Sequence, residues 1–315
     1  MVMEREKMVA ECYGRIRKRK AKSGCNIENN PRTLIQSRSM KITQAILPVA
    51  GLGTRFLPWT KVVPKEMLPI GNRPIIAHIV DECLDAGINN ICFVINRGKE
   101  MIPRYFYENP ELEEELRKRG KADALQHLKK YDGANFHVVY QEEQLGDGHA
   151  ILQAADWVKT DTVAVLFGDD LFAGEHSGIA QLVEAYASLK ENERGAMVAL
   201  QEIDRALTEK YGIVDLHADQ AEHSRIKRIK GMVEKPKPSA APSNLGIVGR
   251  YLIPRSTFSV LPTIGASHGG EMRIIDALIE QLKSLSVHGV LCNGTRLDTG
   301  TPEGYAHAMS VLSTL

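Results

Sequence analysis

A glycine-rich segment near residue 50 combines residue types that suit phosphate binding. Gly51-Leu52-Gly53-Thr54-Arg55 follows an apolar run, and Lys65 comes shortly after it. Glycines let backbone N–H groups approach phosphate oxygens, and Arg and Lys side chains supply positive charge. The segment has neither the Gly-Lys-Ser/Thr of a P-loop nor the third glycine of a dinucleotide-binding fingerprint. We therefore predict a loop that holds the phosphates of a nucleoside triphosphate.

Two aspartate segments could bind a divalent cation. Asp169 and Asp170 follow an apolar run, and Asp298 lies in the late segment Leu297-Asp298-Thr299-Gly300. Mg²⁺ is typically held by one or two carboxylates together with substrate oxygens, so Asp169 is a candidate ligand. The alternative for Asp169 is an aspartate that caps a turn. Spacing alone does not indicate whether Asp298 reaches it.

Glu234 and Lys235 form a third candidate pair, in which a carboxylate could bind a hydroxyl group and an ammonium could bind a phosphate. The alternative is an exposed ion pair worth less than about 1 kcal/mol.

Covalent catalysis and a structural metal site are not indicated. The ten histidines show no metal-ligand spacing, and no Gly-x-Ser-x-Gly or Cys/His arrangement suggests a nucleophile. His149 is interpreted as a structural residue. The five cysteines are scattered without a Cys-x-x-Cys pair, which favours free thiols.

The candidate residues follow predicted strands, which is where open α/β sheets bind ligands. The segment 45–50 is typical of a buried strand, a helix begins at Pro74 and ends near Gly87, and 91–95 is the next strand. This βαβ unit implies a parallel sheet. Further strands are predicted at 136–140, 162–167, 196–200, 212–216, 226–233, 246–253 and 287–292, and helices at 111–130, 148–158, 178–190, 271–284 and 302–313. The pattern indicates one doubly wound α/β domain with a strand-rich, mixed-sheet second half.

Composition predicts a soluble globular protein of one or two domains, because 43% of the 315 residues are hydrophobic and 25% are charged. No membrane-spanning run or secretory signal is present, so a cytoplasmic location is expected.

Charge is distributed unevenly along the chain. Residues 1–40 contain ten Lys/Arg and four Glu, a net charge of +6, and the total of +1 leaves −5 for the remainder. The basic run at 15–20 could bind nucleic acid or a membrane surface. The alternatives are a disordered, solvated tail or a start upstream of the natural one at Met40. The acidic remainder argues against nucleic acid as the main partner.

Several ordered motifs together resemble the bacterial UTP–glucose-1-phosphate uridylyltransferases, also called UDP-glucose pyrophosphorylases. The resemblance covers residues 41–315, and its motifs lie at 51–58, 60–69, 146–150, 168–170, 211–215, 233–236, 241–245 and 248–251. It implies a nucleotide-diphospho-sugar transferase fold, which is a Rossmann-like doubly wound mixed sheet with a strand-rich sugar-binding half. Residues 41–200 are then the nucleotide-binding half and 201–315 the sugar-binding half with the C-terminal helices, while 1–40 are a basic extension expected to be disordered.

The resemblance also implies an activity: a uridylyl group passes from UTP to glucose 1-phosphate, giving UDP-glucose and pyrophosphate. Direct in-line attack on the α-phosphorus with Mg²⁺ needs no covalent intermediate. The expected partners are these small molecules, with no nucleic acid or membrane, and a homodimer or homotetramer. The alternatives are a sister enzyme that uses dTTP or another sugar 1-phosphate, and a non-catalytic regulatory paralogue. A redox role is weaker, because Asn96-Arg97-Gly98 offers no acidic ribose ligand after the second strand.

The resemblance assigns roles at matching positions. The implied catalytic residues are Arg55, Lys65, Asp169 and Lys235. The implied nucleotide-binding residues are Leu47, Ala50, Gly51, Gly53, Thr54, Arg55, Gln141, Gly146 and Asp169, with Gln141 and Gly146 at the uracil edge. Gly212 and Glu234 would contact glucose hydroxyls and Lys235 the glucose phosphate, while Asp169 and Asp298 would bind the metal. Three positions depart from the family pattern: Trp59 replaces a small residue, Gly168 a proline and Asp147 a leucine.

Overall fold

A nine-stranded mixed sheet organises the part of the chain that the computed structural model describes, residues 41–218, 223–265 and 270–312. The strands are β1 (Gln44–Pro48), β2 (Pro69–Ile70), β3 (Arg73–Pro74), β4 (Asn90–Ile95), β5 (Asn135–Tyr140), β6 (Thr162–Leu166), β7 (Asp170–Ala173), β8 (Ala196–Glu202), β9 (Gly212–Leu216), β10 (Ile226–Glu234), β11 (Leu245–Pro254), β12 (Val287–Leu291) and β13 (Thr295–Asp298). The helices are α1 (Ile75–Asp85), α2 (Met101–Arg104), α3 (Pro110–Lys118), α4 (Ala122–Leu128), α5 (Asp147–Gln153), α6 (Gly178–Ser188), α7 (Thr257–Ile264), α8 (Ile274–Gln281) and α9 (Pro302–Leu312). The predicted extension at 1–40 lies outside the described residues.

The main sheet has the order β5-β4-β1-β6-β11-β8-β12-β10-β9. Its first four strands are parallel, as the predicted βαβ unit requires. Strand β11 runs antiparallel to both β6 and β8, and β10 runs antiparallel to both β12 and β9. Strands from both predicted halves therefore form one sheet, with β11 of the second half between β6 and β8 of the first.

Apolar side chains cover both faces of this sheet. One hydrophobic cluster joins the sheet to α1 and α6, and the other joins it to α5, α7 and α8. All five residues of β6 and nine of the ten residues of β11 are buried, which is typical of strands covered on both faces. The doubly wound mixed sheet predicted from the sequence is confirmed.

A buried ion pair ties β11 to α1. The fully buried guanidinium of Arg250 donates from Nε to Oε1 of Glu82 at 3.0 Å and from Nη2 to Oε2 at 2.7 Å. Arg250 also donates to the backbone carbonyls of Phe167 and Asp170. Because these carbonyls flank the turn between β6 and β7, the ion pair fixes the turn that carries Asp169.

The predicted elements recur with shifted ends, and three differences are informative. The predicted helix 111–130 was wrong as a single element, since α3 and α4 are separated at Gly120, whose φ is 65°. Three i,i+4 ion pairs lie along α3 and its C-terminal end: Glu113–Arg117, Glu114–Lys118 and Glu115–Arg119. The predicted helix 148–158 ends early, at Gln153. The short strands β7 and β13 and the helix α7 had no predicted counterpart.

Within residues 41–218, 223–265 and 270–312, every helix falls short of the length and apolarity that crossing a membrane requires.

Candidate active site

Two adjoining cavities lie at the carboxyl ends of the parallel strands. We call the larger one, of about 440 Å³, the loop cleft; it is bounded by the loop after β1, the start of α5 and the turn after β6. The smaller one, of about 220 Å³, is the strand cavity, and it is bounded by β9, β10, β11 and the segment before α8. Asp147 and Phe167 line both cavities, so ligands in the two spaces would be neighbours.

Most of the predicted nucleotide-binding residues line the loop cleft. They are Ala50, Gly51, Gly53, Thr54, Gln141, Gly146 and Asp169, and the predicted catalytic Lys65 joins them. Two others are placed elsewhere. The side chain of Leu47 is fully buried in the core, and Arg55 is exposed, with Nη1 donating to the carbonyl of Gly300 at 3.4 Å.

Gln141 is fixed at the far end of the loop cleft. Its side chain is 2% exposed, and Nε2 donates to the carbonyl of Gly146 at 3.1 Å. Nε2 also lies 3.0 Å from Nδ1 of His149, which is consistent with the structural role predicted for that histidine. Gly146 has a φ of 106°, and a Cβ there would lie 2.4 Å from the carbonyl oxygen of Met272. Only glycine therefore fits this turn.

Lys65 and Asp169 form an ion pair in the loop cleft, with Nζ and Oδ2 2.5 Å apart. Burial acts to lower the pKa of Lys65, but the negative charges of Asp169 and Glu66 outweigh burial and raise it. Burial likewise acts to raise the pKa of Asp169, but Lys65 outweighs it, so this pKa lies below its ordinary value. Both groups are therefore charged at neutral pH, and Lys65 is available to a phosphate.

A second layer of polar contacts holds the loop after β1, and the sequence analysis missed it. The buried Nζ of Lys99 donates to Oε2 of Glu66 at 2.9 Å and to the carbonyl of Val49 at 2.7 Å. Asn96 Nδ2 donates to the carbonyl of Ala50 at 2.7 Å. Asn96 and Lys99 directly follow β4, so their place at the carboxyl end of a parallel strand was the available signal.

Strand pairing brings the two predicted metal-binding aspartates together. β13 pairs antiparallel with β7, which sets Asp298 opposite Asp170 and beside Asp169. A Cβ on Gly300 would lie 3.0 Å from both Asp169 Oδ2 and Asp298 Oδ1, so the two carboxylate oxygens flank this glycine. Across residues 41–218, 223–265 and 270–312, no group of three or more His, Cys, Asp or Glu side chains could hold a metal ion.

Arg296 is a charged residue of the strand cavity that the sequence analysis missed. Its Nη2 pairs with Asp170 and lies 3.5 Å from Oδ2 of Asp298, and its Nη1 donates to the hydroxyl of Tyr211 at 3.0 Å. Burial raises the pKa of Asp170 to about 6, although Arg296 opposes this effect. Arg296 thus offsets part of the negative charge that Asp170 and Asp298 concentrate here.

The three predicted sugar-phosphate residues converge on the strand cavity. Gly212 begins β9 and pairs with Glu234, which ends β10, and Lys235 follows directly. Oε1 of Glu234 lies 3.4 Å from Lys235 Nζ and 3.2 Å from Nη1 of Arg273, which the sequence analysis also missed. Such a cavity offers carboxylates to hydroxyl groups and cations to a phosphate.

The chain is similar to proteins of known function. Residues 44–314 match the model of the family described as nucleotidyl transferase. A UTP–glucose-1-phosphate uridylyltransferase, YngB, of Bacillus subtilis (strain 168) is 39% identical over 265 residues, which are 84% of this chain and 87% of that protein.

Solved structures agree with this relationship. A UDP-glucose pyrophosphorylase complexed with UDP-glucose is 31% identical with a TM-score of 0.75, covering 87% of this chain and 99% of that one. A UTP-bound UGPase from Acinetobacter baumannii is 34% identical with a TM-score of 0.78, covering 86% and 93%.

Proposed function

The chain belongs to the nucleotidyl transferase family, and from that membership we propose that it transfers the uridylyl group of UTP to glucose 1-phosphate. The products are UDP-glucose and pyrophosphate. The observation that carries the proposal is the pair of adjoining cavities, one with a glycine-rich loop and Lys65, the other with Glu234 and Lys235. Relatives named for this activity, and similar structures described with UTP or UDP-glucose, support these substrates.

The reaction needs positioning and charge neutralisation rather than a protein nucleophile. A phosphate oxygen of glucose 1-phosphate attacks the α-phosphorus of UTP and forms the new P–O bond. The bond from this phosphorus to the β-phosphate oxygen breaks, and pyrophosphate leaves with the electron pair. Lys65 neutralises charge on the departing pyrophosphate, and Lys235 holds the sugar phosphate in line. For Arg55 to share the role of Lys65, its exposed side chain would have to turn from the carbonyl of Gly300 toward the phosphates.

The carboxylates Asp169 and Asp298 would hold Mg²⁺. Their oxygens are the hard donors that this ion prefers, and Gly300 leaves the space between them free of a side chain. When bound, the ion supplies positive charge to phosphate oxygens. Lys65 beside Asp169 and Arg296 beside Asp298 orient the two carboxylates.

Selection of the base is proposed to rest on Gln141 and Gly146. The hydrogen bond from Gln141 to Gly146 fixes a polar edge at the end of the loop cleft, against which uracil would be read. Thymine carries an extra methyl group on the same ring, and a hydrophobic contact of this size changes binding by only about 1–3 kcal/mol. The ratio of activity with UTP to activity with dTTP is therefore the most demanding test of base selection.

The test is pyrophosphate release by the purified protein with Mg²⁺. UTP is compared with dTTP, ATP, CTP and GTP, and glucose 1-phosphate with the galactose and mannose 1-phosphates. We expect the highest kcat/KM for UTP with glucose 1-phosphate. A preference for another pair would make the chain a sister transferase, and no release with any pair would favour a regulatory paralogue.

The metal assignment has its own test. We expect Asp169→Asn to abolish Mg²⁺-dependent turnover, because the amide lacks the negative charge that holds the ion. Retained turnover would show that Mg²⁺ is bound elsewhere.

A further inference from the structure

Asp147 occupies the boundary between the two cavities. Among the described residues that line them, it and Phe167 are the two that belong to both walls. It is the first residue of α5, and the glycines on either side pack closely against the segment before α8. The amide of Gly148 donates to the carbonyl of Met272 at 2.9 Å, and Gly146 leaves no room for a Cβ. The side chain of Asp147 therefore leaves the backbone from a fixed point.

Asp147 is held by a backbone amide rather than by a cation. Its Oδ1 accepts a hydrogen bond of 2.8 Å from the amide of Ile274, at the start of α8. The other carboxylates of the strand cavity are differently engaged: Glu234 pairs with Lys235 and Arg273, and Asp170 and Asp298 both pair with Arg296. This hydrogen bond anchors the carboxyl group, and among the residues that the structure describes no cation forms an ion pair with Asp147.

The charge of Asp147 suits it to accept hydrogen bonds. Burial raises its pKa to about 6, and the charge of Glu234 adds to this effect, while the amides of Ile274 and Gly148 and the charge of Arg273 oppose it. The group is therefore a carboxylate at neutral pH, and a carboxylate accepts hydrogen bonds without donating any. Besides Arg296, which pairs with Asp170, the strand cavity is lined by the cations Lys210, Lys235 and Arg273, which suit a phosphate, whereas Asp147 and Glu234 suit hydroxyl groups.

We propose that Asp147 is a specificity-determining residue whose carboxylate accepts a hydrogen bond from a hydroxyl group of the sugar 1-phosphate in the strand cavity. The inference rests on the proposed function, because that function assigns this cavity to the acceptor sugar. A sugar without the hydroxyl leaves a buried carboxylate desolvated and unpaired, so it is rejected. Asp147 thus selects sugar 1-phosphates with a free hydroxyl at one ring position over deoxy or acylated ones.

The experiment measures kcat/KM with UTP for glucose 1-phosphates in which one hydroxyl at a time is replaced by hydrogen or fluorine. For the wild type, we expect replacement at one position to lower kcat/KM by roughly 10- to 100-fold through loss of the bond to Asp147. In Asp147→Leu this loss should shrink to about twofold, while the penalties at the other positions stay as in the wild type.

Asp147→Asn separates substrate recognition from the contact with α8. The amide oxygen keeps the acceptor for Ile274, while the NH₂ group puts donors in place of the second oxygen. Fluorine accepts hydrogen bonds weakly and donates none. In this variant we therefore expect the ratio of kcat/KM for the fluorinated analogue to kcat/KM for glucose 1-phosphate to rise by roughly tenfold. The matched control is Asp204→Leu, which removes an aspartate that also accepts a backbone amide, that of Ala206 at 2.9 Å, but lines neither cavity.

The outcomes separate the two proposals. An active wild type whose Asp147→Leu and Asp147→Asn variants keep the wild-type pattern of penalties overturns the inference alone and leaves Asp147 as a helix contact. A wild type that releases no pyrophosphate from UTP with any sugar 1-phosphate contradicts the proposed function and, with it, the inference.

Discussion

The loop cleft and the strand cavity are walled differently. Four glycines line the loop cleft, namely Gly51, Gly53, Gly146 and Gly168, so much of its wall is backbone. The strand cavity is lined by charged side chains that antiparallel strand pairing and the segment before α8 bring together. A backbone wall fixes shape, and at Gly146 and Gly168 it has no room for an added Cβ, whereas a side-chain wall can be altered one group at a time. We therefore expect changes in the loop cleft to affect turnover and folding, and changes in the strand cavity to affect one substrate.

The largest expected effect is that of Lys65→Ala. Lys65 is a cation that lines the loop cleft, where we propose that the phosphates bind, and its loss also leaves Asp169 without its 2.5 Å partner. We expect kcat to fall about 100- to 1,000-fold, the usual result of removing a group that stabilises developing charge. Steady-state pyrophosphate release measures it. Lys61→Ala, at an exposed position nearby, is the control and should stay within about twofold of the wild type.

Gly146→Ala tests the backbone wall itself. The new Cβ would meet the carbonyl of Met272 at 2.4 Å, on a backbone whose φ of 106° already disfavours any side chain. We expect the free energy of unfolding to fall by about 2–3 kcal/mol in urea titrations, and KM for UTP to rise. Gly133→Ala is the matched control, since a Cβ there meets nothing within 4 Å. Equal stability of the two variants would contradict the backbone-wall description.

Lys235→Ala tests the side-chain wall. The side chain of Lys235 lines the strand cavity, is half exposed, and pairs only loosely with Glu234, at 3.4 Å. We expect KM for glucose 1-phosphate to rise about 10- to 100-fold while KM for UTP changes by less than about twofold. Lys237→Ala, an exposed neighbour that lines neither cavity, should change neither constant. Equal rises in both KM values would contradict the expectation that changes in the strand cavity affect one substrate.

The smallest effect is expected on the charged surface of α3. Glu115 and Arg119 pair at 2.6 Å, but both side chains are about half exposed or more. Glu115→Gln should lower the free energy of unfolding by only about 0.3–0.5 kcal/mol and leave kcat and both KM values unchanged. A kinetic effect would mean that α3 contributes to one of the cavities.

The loop cleft was largely predictable from the sequence because its parts are local. A glycine-rich turn directly after a buried strand, followed closely by a lysine, can be recognised from about 20 residues of sequence. Gly51, Gly53 and Lys65 accordingly line the loop cleft as expected. Arg55 was also assigned from this local motif, but its exposed side chain does not line the loop cleft and donates to the carbonyl of Gly300 instead.

The strand cavity was less predictable because it depends on pairing between distant strands. Asp298 reaches Asp169 through the four-residue strands β7 and β13, which are too short to show a periodic pattern. Arg273 and Arg296 look like ordinary surface cations in the sequence, because nothing local marks a charged residue that faces a cavity.

Local sequence features explain why α7 was not predicted and why α3 and α4 were predicted as one helix. α7 contains Pro262, which removes a backbone donor and usually indicates a break, so its helical pattern was not recognised. The predicted helix 111–130 had a strong run of i,i+4 charge pairs, and these obscured the left-handed Gly120 that separates α3 from α4.

The position of β11 limits how this architecture can be recombined. A cassette of residues 201–315 taken from a relative would replace three strands at one edge of the sheet and also a strand in its middle. That inserted strand would have to fit the side chains of β6 and β8 along ten residues and supply an arginine opposite Glu82. The two halves are therefore poor modules for exchange, and we expect sugar preference in such proteins to diverge by single substitutions around the strand cavity rather than by shuffling of halves.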